Sequence, residues 1–246
     1  MILEQSTHPG WLSNTWLYAP APGGPAVVID AGAPPEPILA AIEAHGLDLR
    51  WVLLTHHHVD HVCEHRAYSE RCGAEVMIHR AEADRVPGVS GTLAGDEHLQ
   101  AGDLSVELMH IPGHTAGQLA FRLGRDRVAT GDTLFKGSVG GTRGPGHTSF
   151  ADLQHSVLET LLGLAPETHL LPGHAAATTV GAELAHNPFV RAFRGELELS
   201  PRPCRALGQD AELLLRAPDY DGGTKAWVRF SDGRLDVVPG SRVEEA

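Results

Sequence analysis

The segment Thr55-His56-His57-His58-Val59-Asp60-His61 constrains this chain more than any other, because five of its side chains are of metal-ligand type. Such a run cannot be buried in an apolar core unless its ring nitrogens and carboxylate find partners. It follows Arg50 to Leu54, which reads as a buried strand, and precedes Val62 to Cys72, which reads as a helix stopped at Gly73. In an extended loop, residues two apart project to the same side, so His56 and His58 can grip one ion while His57 points away. Asp60 and His61, at the start of the helix, can turn toward a neighbouring ion.

Three further polar residues end predicted strands beside glycine: His114 in Gly113-His114-Thr115, Asp132 in Gly131-Asp132-Thr133, and His174 after Gly173. Glycine lets backbone approach a crowded site, and imidazole with carboxylate suits zinc, manganese or iron better than calcium or magnesium. The ligand set reads as His56, His58 and His114 on one ion, Asp60, His61 and His174 on a second, with Asp132 between them. The expected cofactor is therefore two divalent transition metal ions, zinc first, with iron or manganese as alternatives. Each ion keeps one position for a shared water, as catalytic sites require, and a metal pair makes hydroxide available from it at neutral pH.

The rest of the chain alternates apolar runs and helical patterns up to about residue 195. Strands are expected over Thr15–Ala19, Ala26–Ile29, Glu75–Ile78, Val106–Ile111, Gln118–Leu123, Arg127–Thr130 and His169–Leu171. Helices are expected over Pro35–His45 and Phe150–Leu164, the latter with Leu153, Val157, Leu158, Leu161 and Leu162 on one face. After Ser200-Pro201-Arg202-Pro203 the pattern becomes all strand: Ala211–Arg216, Thr224–Phe230 and Arg234–Val238, with Asp/Gly-rich turns. The reading is one domain of mixed α/β class over residues 1–199 and a linker plus small all-β meander over 200–246.

Composition excludes several function classes. A net charge of −12 opposes nucleic acid and anionic membrane surfaces, so neither is an expected partner. Cys63, Cys72 and Cys204 form no C-x-x-C pair and no disulfide framework. The first twenty residues lack the pattern of a secretory leader, and the longest apolar run, Ile38 to Ile42, is far too short to span a bilayer. A reducing, cytoplasmic setting is expected.

Four motifs in order, Thr-His-x-His-x-Asp-His, Pro112-Gly-His-Thr-x-Gly117, Gly131-Asp-Thr-Leu-Phe135 and Pro172-Gly-His174, resemble those of the metallo-β-lactamase fold superfamily. The resemblance covers residues 15 to 195 and implies an αββα four-layer sandwich with the metals at one edge. It also implies that Asp30 braces the first histidine loop. Gly131–Phe135 and His186-Asn187-Pro188-Phe189 look most like the glyoxalase II group, which hydrolyses S-acylglutathione thioesters. That group carries a helical C-terminal domain, where this chain reads as strands.

The resulting expectation is a glyoxalase II-like thioesterase acting on S-acylglutathione or related small thioesters. Asp60 would act catalytically as well as holding metal, with no side-chain nucleophile. Lys136 and Arg143 are candidate binders of a substrate carboxylate, and His147 is a candidate substrate contact. A mononuclear iron enzyme like the persulfide dioxygenases is the alternative, and a lactonase of the same fold another. A tRNA-processing nuclease is disfavoured by charge, and a binding protein by the complete ligand set. The terminal module is free to cover the active-site mouth, form a homodimer or recruit a partner.

Overall fold

The computed structural model describes residues 1–245. Its first sheet contains, in spatial and chain order, β1 (Ile2–Thr7), β2 (Asn14–Ala19), β3 (Pro25–Ile29), β4 (Asp48–Leu53), β5 (Glu75–His79) and β6 (Gly91–Leu93). The first three strands run antiparallel, and β3 to β6 run parallel. The second sheet comprises β7 (His98–Ala101), β8 (Leu104–His110), β9 (Leu119–Leu123) and β10 (Arg127–Gly131), then, past a small hairpin of β11 (Leu134–Phe135) and β12 (Ser138–Val139), β13 (His169–Pro172) and β14 (Thr178–Thr179). Within it β10 and β13 pair in parallel, Arg127 opposite His169 and Gly131 opposite Pro172.

Strand residues alternate between two cores because successive side chains leave opposite faces. Val27, Ile29 and Leu53 meet Val106, Phe121, Ala129 and Leu171 between the sheets. Their neighbours Ala26, Val28, Val52 and Val76 face outward onto α1 (Glu36–His45) and a later helix through Ile38, Leu39, Ile42 and Tyr68. On the other side Ala120, Val128 and Leu170 carry the helices that contribute Leu153, Val157, Val180 and Phe189. Three stacked apolar interfaces define the αββα sandwich. Each fully buried aliphatic or aromatic side chain contributes about 1.5–3 kcal/mol of transfer free energy, so inner strands buried on both faces anchor the site's loops firmly.

Two expected helices are broken. Val62–Cys72 becomes α2 (Val59–Val62) and α3 (His65–Cys72), because the chain turns out of helical geometry at Glu64, with ψ of 6°. The second begins as α4 (Phe150–His155), capped by the Ser149 hydroxyl, and continues from Ser156 to Leu161 as a π turn, where Ser156 Oγ donates to the Pro112 carbonyl (2.7 Å). Next come α5 (Val180–His186) and α6 (Pro188–Phe193), the latter capped by Asn187. Among the described residues no helix is long and apolar enough to cross a membrane.

The C-terminal module has five strands rather than three: β15 (Arg202–Ala206), β16 (Gln209–Pro218), β17 (Thr224–Phe230), β18 (Leu235–Pro239) and β19 (Val243–Glu245), ordered β18-β17-β16-β15-β19. The stretch expected as polar linker is itself partly strand, since Cys204 and Ala206 alternate inward while Arg202 and Arg205 face water. One face encloses a small core around Leu213, Val228 and Phe230. The other packs Leu214, Ala217, Trp227 and Val237 into the same cluster as Leu153 and Phe189. Trp227 thus faces α6, with its ring 5.1 Å from that of Phe193, and not the interior of the terminal sheet.

Candidate metal centre

Five strands end at one rim between the sheets. Asp30 follows β3, the histidine loop follows β4, His114 follows β8, Asp132 follows β10 and His174 follows β13. Asn14 and Trp16 stitch the two sheets together there, their side-chain N–H groups donating to the Pro172 carbonyl, each at 3.0 Å. Gly173 is required by crowding: a Cβ at this position would lie 2.3 Å from Asp132 Oδ1 and 2.8 Å from His61 Cε1.

The three imidazoles of the first cluster are each fixed from behind. His58 Nε2 donates to the Pro145 carbonyl (3.0 Å) and His114 Nδ1 to the Gly141 carbonyl (2.8 Å). Thr55 Oγ1 spends its proton on Asp30 Oδ2 (2.9 Å), so it accepts from His56 Nδ1 (3.0 Å). With the outer nitrogens protonated, the inner ones, His56 Nε2, His58 Nδ1 and His114 Nε2, present lone pairs. Those of His56 and His114 each lie 3.0 Å from His58 Nδ1. Burial reinforces this neutral state, lowering His58, holding His56 well below its ordinary value and pushing His114 down to about 4. Converging lone pairs without a shared proton are what a cation satisfies.

The second cluster is built on carboxylates. His61 Nδ1 donates to Asp30 Oδ2 (2.9 Å), which turns its Nε2 toward Asp132 Oδ1 at 3.3 Å and Asp60 Oδ2 at 3.6 Å. His174 Nε2 lies 3.4 Å from Asp60 Oδ2 and 3.3 Å from Asp132 Oδ2. Burial opposes protonation of His61 and His174, but adjacent carboxylates outweigh it, raising His61 well above its ordinary value and His174 to about 9. Conversely, burial would raise Asp132 and Asp60, and the histidines around them overcome it and lower both.

Asp132 joins the clusters. Its Oδ2 is 3.6 Å from His114 Nε2, while Oδ1 faces His61 and has no well-directed hydrogen bond among the described residues. Ligand atoms of His56, His58 and His114, of His56, His61 and Asp132, and of Asp60, His61 and His174 all fall within 4.8 Å of one another in each set. The structure therefore brings together all seven side chains singled out in the sequence. The donor chemistry fits divalent transition metal ions.

Supporting residues complete the site. Asp30, in left-handed backbone (φ 55°), also accepts the Thr55 N–H (2.7 Å), so one carboxylate orders the loop that carries both clusters. His57 does point away: its backbone N–H and Nδ1 both donate to Glu82 Oε2 at 2.7 Å. Buried Glu82 also accepts the Gly117 N–H (2.8 Å), tying the histidine loop after β4 and the loop after β8 to one anchor. Nothing in its Ala-Glu-Ala sequence context marked it.

The expected substrate contacts are placed differently. The metal centre opens into a cavity of about 550 Å³ whose walls include His57, Val59, Pro145 and Tyr220, but not Lys136, Arg143 or His147. Lys136 is exposed at the tip of the β11–β12 hairpin. Arg143 is drawn away by an ion pair with Asp236 and stacks 5.5 Å from the Phe230 ring centroid. His147, folded back on the Gly144 carbonyl (2.8 Å), lies with Arg143 in a separate cleft of about 390 Å³ beside α4 and the terminal sheet. The residue missed by sequence reasoning is Tyr220, in the β16–β17 turn, whose ring stacks on that of His174 at 4.4 Å. Burial, with Asp132 nearby, raises its phenol and keeps it protonated.

The fold and site define a metallohydrolase-type sandwich, and residues 8–174 match the metallo-beta-lactamase superfamily model. The chain belongs to the metallo-beta-lactamase superfamily. It is 34% identical over 240 residues to a hydroxyacylglutathione hydrolase of Anaeromyxobacter dehalogenans, covering 93% of this chain and 92% of that protein. An uncharacterised protein of Mycobacterium tuberculosis is 33% identical over 208 residues, covering 72% of this chain and 92% of the other. Among solved structures, ETHE1 from Myxococcus xanthus has a TM-score of 0.69 at 28% identity, covering 78% of this chain and 85% of its own. TTHA1623 in a di-iron-bound form has a TM-score of 0.64 at 32% identity, covering 75% and 98%.

Proposed function

We propose that the protein is a metal-dependent thioester hydrolase of hydroxyacylglutathione hydrolase type, loading two divalent transition metal ions. The observation that carries this reading is Asp132, whose Oδ2 lies 3.6 Å from His114 of the first cluster and 3.3 Å from His174 of the second, while Oδ1 lies 3.3 Å from His61, so that it suits a shared ligand. His56, His58 and His114 would hold one ion, and Asp60, His61 and His174 the other. The full-length likeness to a hydroxyacylglutathione hydrolase supports the substrate class.

When bound, the metal pair lowers the pKa of a water to near 7 and polarises the carbonyl under attack. Asp60, ionised and with its side chain 24% exposed, faces the cavity and orients the proton of the attacking water. Asp132, buried but reaching the cavity wall, keeps its charge between the two histidine groups and holds them in register. A thiolate, of pKa about 8.5, leaves without a proton donor, whereas an amine would need one. Of the wall residues that could donate, His57 is committed to Glu82, and burial raises the Tyr220 phenol, making it a poor acid. Thioesters are thus the least demanding substrates.

The test is elemental analysis of protein purified without added metal, followed by a thiol-release assay with S-lactoylglutathione. Two transition metal ions per chain and thiol release are expected. Fully loaded protein that releases no thiol from any thioester sinks the reading. One iron per chain, with oxygen uptake on a persulfide, would install the dioxygenase alternative.

A further inference from the structure

The C-terminal sheet reaches the cavity through one side chain, and the surroundings of that side chain are built to hold it still. Asp219 Oδ1 accepts from Ser138 Oγ (2.8 Å) and from the Tyr220 N–H (2.9 Å), and it pairs with Lys225 at 3.3 Å. Lys225 Nζ donates to the Val139 carbonyl (2.6 Å) and sits 4.7 Å from the Phe135 ring centroid and 5.3 Å from that of Tyr220. Phe135 meets the Tyr220 ring edge-on at 5.1 Å. Turn residues are ordinarily mobile, but these contacts clamp the β16–β17 turn to the β11–β12 hairpin directly behind Asp132. The tyrosine is a preformed wall, its ordering cost met before a substrate arrives.

Beyond the candidate ligands and His57, that wall consists of Tyr220, Val59, Gly144 and Pro145, and Val59 is 61% exposed. Among the described residues no Lys or Arg is part of the cavity lining, and Arg85 reaches only the Nε2 of His57, at 3.4 Å. Lys225, whose side chain is only 12% exposed, spends its charge on Asp219 and Val139 behind the aromatic rings. Away from the candidate metal ligands, a carboxylate at the far end of the acyl arm would give up water here and gain no side-chain cation, whereas an aliphatic arm would gain contact with Tyr220 and Val59.

We infer that the cavity accepts an uncharged acyl group and that Tyr220, supplied by the terminal sheet, is the residue that sets its preferred length. The inference rests on the thioester hydrolase reading and names the substrate class of that same site.

Acetyl, butyryl, hexanoyl and succinyl thioesters of N-acetylcysteamine would be compared with the protein as purified and its Tyr220→Ala, Tyr220→Leu and Val59→Phe variants. Isothermal titration with acetate, butyrate, hexanoate and succinate supplies a readout independent of turnover. Each buried methylene is expected to gain about three- to fourfold, so butyryl should exceed acetyl roughly tenfold in kcat/KM, and succinyl should trail butyryl by a similar factor. Tyr220→Ala should collapse the butyryl-to-acetyl ratio, in kcat/KM and in Kd. Val59→Phe, at an exposed position, should cut hexanoyl before acetyl, and with Tyr220→Leu it carries the test should Tyr220→Ala fail to fold. Succinyl handled as well as butyryl, or equal losses across all acyl groups, would overturn the inference. If no thioester is cleaved, the thioesterase reading fails, while the carboxylate titrations still decide the pocket.

Discussion

The two clusters of the metal centre present similar ligand atoms through opposite electrostatics. His56, His58 and His114 are held from behind by uncharged oxygens, those of Thr55, Pro145 and Gly141, and burial keeps them neutral. His61 and His174 sit among Asp30, Asp60 and Asp132 and are inclined to carry protons. In the absence of a cation, a proton can stand in at the second cluster but not at the first. The difference teaches that a ligand set predicts which ion binds, while the groups behind the ligands determine what that ion must displace.

Removing Asp132, the ligand proposed to be shared, should collapse the distinction altogether. Asp132→Ala takes a ligand from both clusters at once, and turnover should fall on the order of a thousandfold with less than one metal ion per chain retained. Elemental analysis beside a thiol-release assay checks this, and a variant that keeps both ions would show that Asp132 is not shared. His56→Ala and His174→Ala should separate the clusters, each losing about one equivalent of metal and roughly a hundredfold in rate. Equal loss of both ions in either variant would mean the clusters load as one unit.

Asp30→Asn is a gentler probe. Asparagine tolerates the left-handed backbone at this position (φ 55°), so the loop should survive while the acceptor behind His61 and Thr55 loses its charge. Metal affinity should weaken about 10- to 100-fold, more for the second ion than for the first, as read by competition with a chelator.

Metal-free protein should display the contrast as opposed pH dependences. His114, at about 4 in the folded chain against an ordinary 6.5, stays neutral where the unfolded chain takes up a proton, so stability falls as pH drops from about 6.5 to 4. Asp132 and Asp60, both lowered from 3.8, add to that loss at still lower pH. His174, raised to about 9, contributes stability that is fully present below 6.5 and is lost as pH rises through 9. Denaturant melts of chelated protein should therefore peak in midpoint near pH 6.5. Filling the second site near pH 7.5 should release protons and filling the first should not, measurable by calorimetry in buffers of different ionisation enthalpy.

The ligand stretches were legible in sequence because each places costly polar groups at the end of an apolar strand, where only a partner or an ion makes burial tolerable. The sandwich was legible for the same reason its core is dense: Ala26–Ile29 and Trp51–Leu54 have the continuous apolar texture of strands covered on both faces. Short or polar edge strands such as β1, β7 and β19 lack that texture, being half exposed. Tyr220 was illegible because an aromatic inside Asp219-Tyr220-Asp221-Gly222-Gly223 reads as a solvent-facing turn. Only the docking of Lys225 and Asp219 onto Ser138 and Val139 carries it to the centre.

Arg143 shows the converse, a residue close in sequence to the site that tertiary contacts pull away from it. Asp236, buried on β18, takes its guanidinium and also accepts from Thr142 Oγ1, so the loop after the β11–β12 hairpin is fastened to the terminal sheet. Because Arg143 lies outside the cavity wall, Arg143→Ala should change KM for an uncharged thioester by less than about twofold, a smaller effect than any metal-centre substitution. Its consequence should appear in stability instead: the Asp236 carboxylate loses its cation, and although the partly exposed arginine limits the gain from the pair, about 1 kcal/mol of unfolding free energy should go. A matched Arg143→Lys variant, which keeps the charge, should recover part of the thermal midpoint. If KM for a neutral acyl thioester instead rose tenfold in Arg143→Ala at unchanged metal content, the separate cleft beside α4 would have to be counted as part of the substrate site.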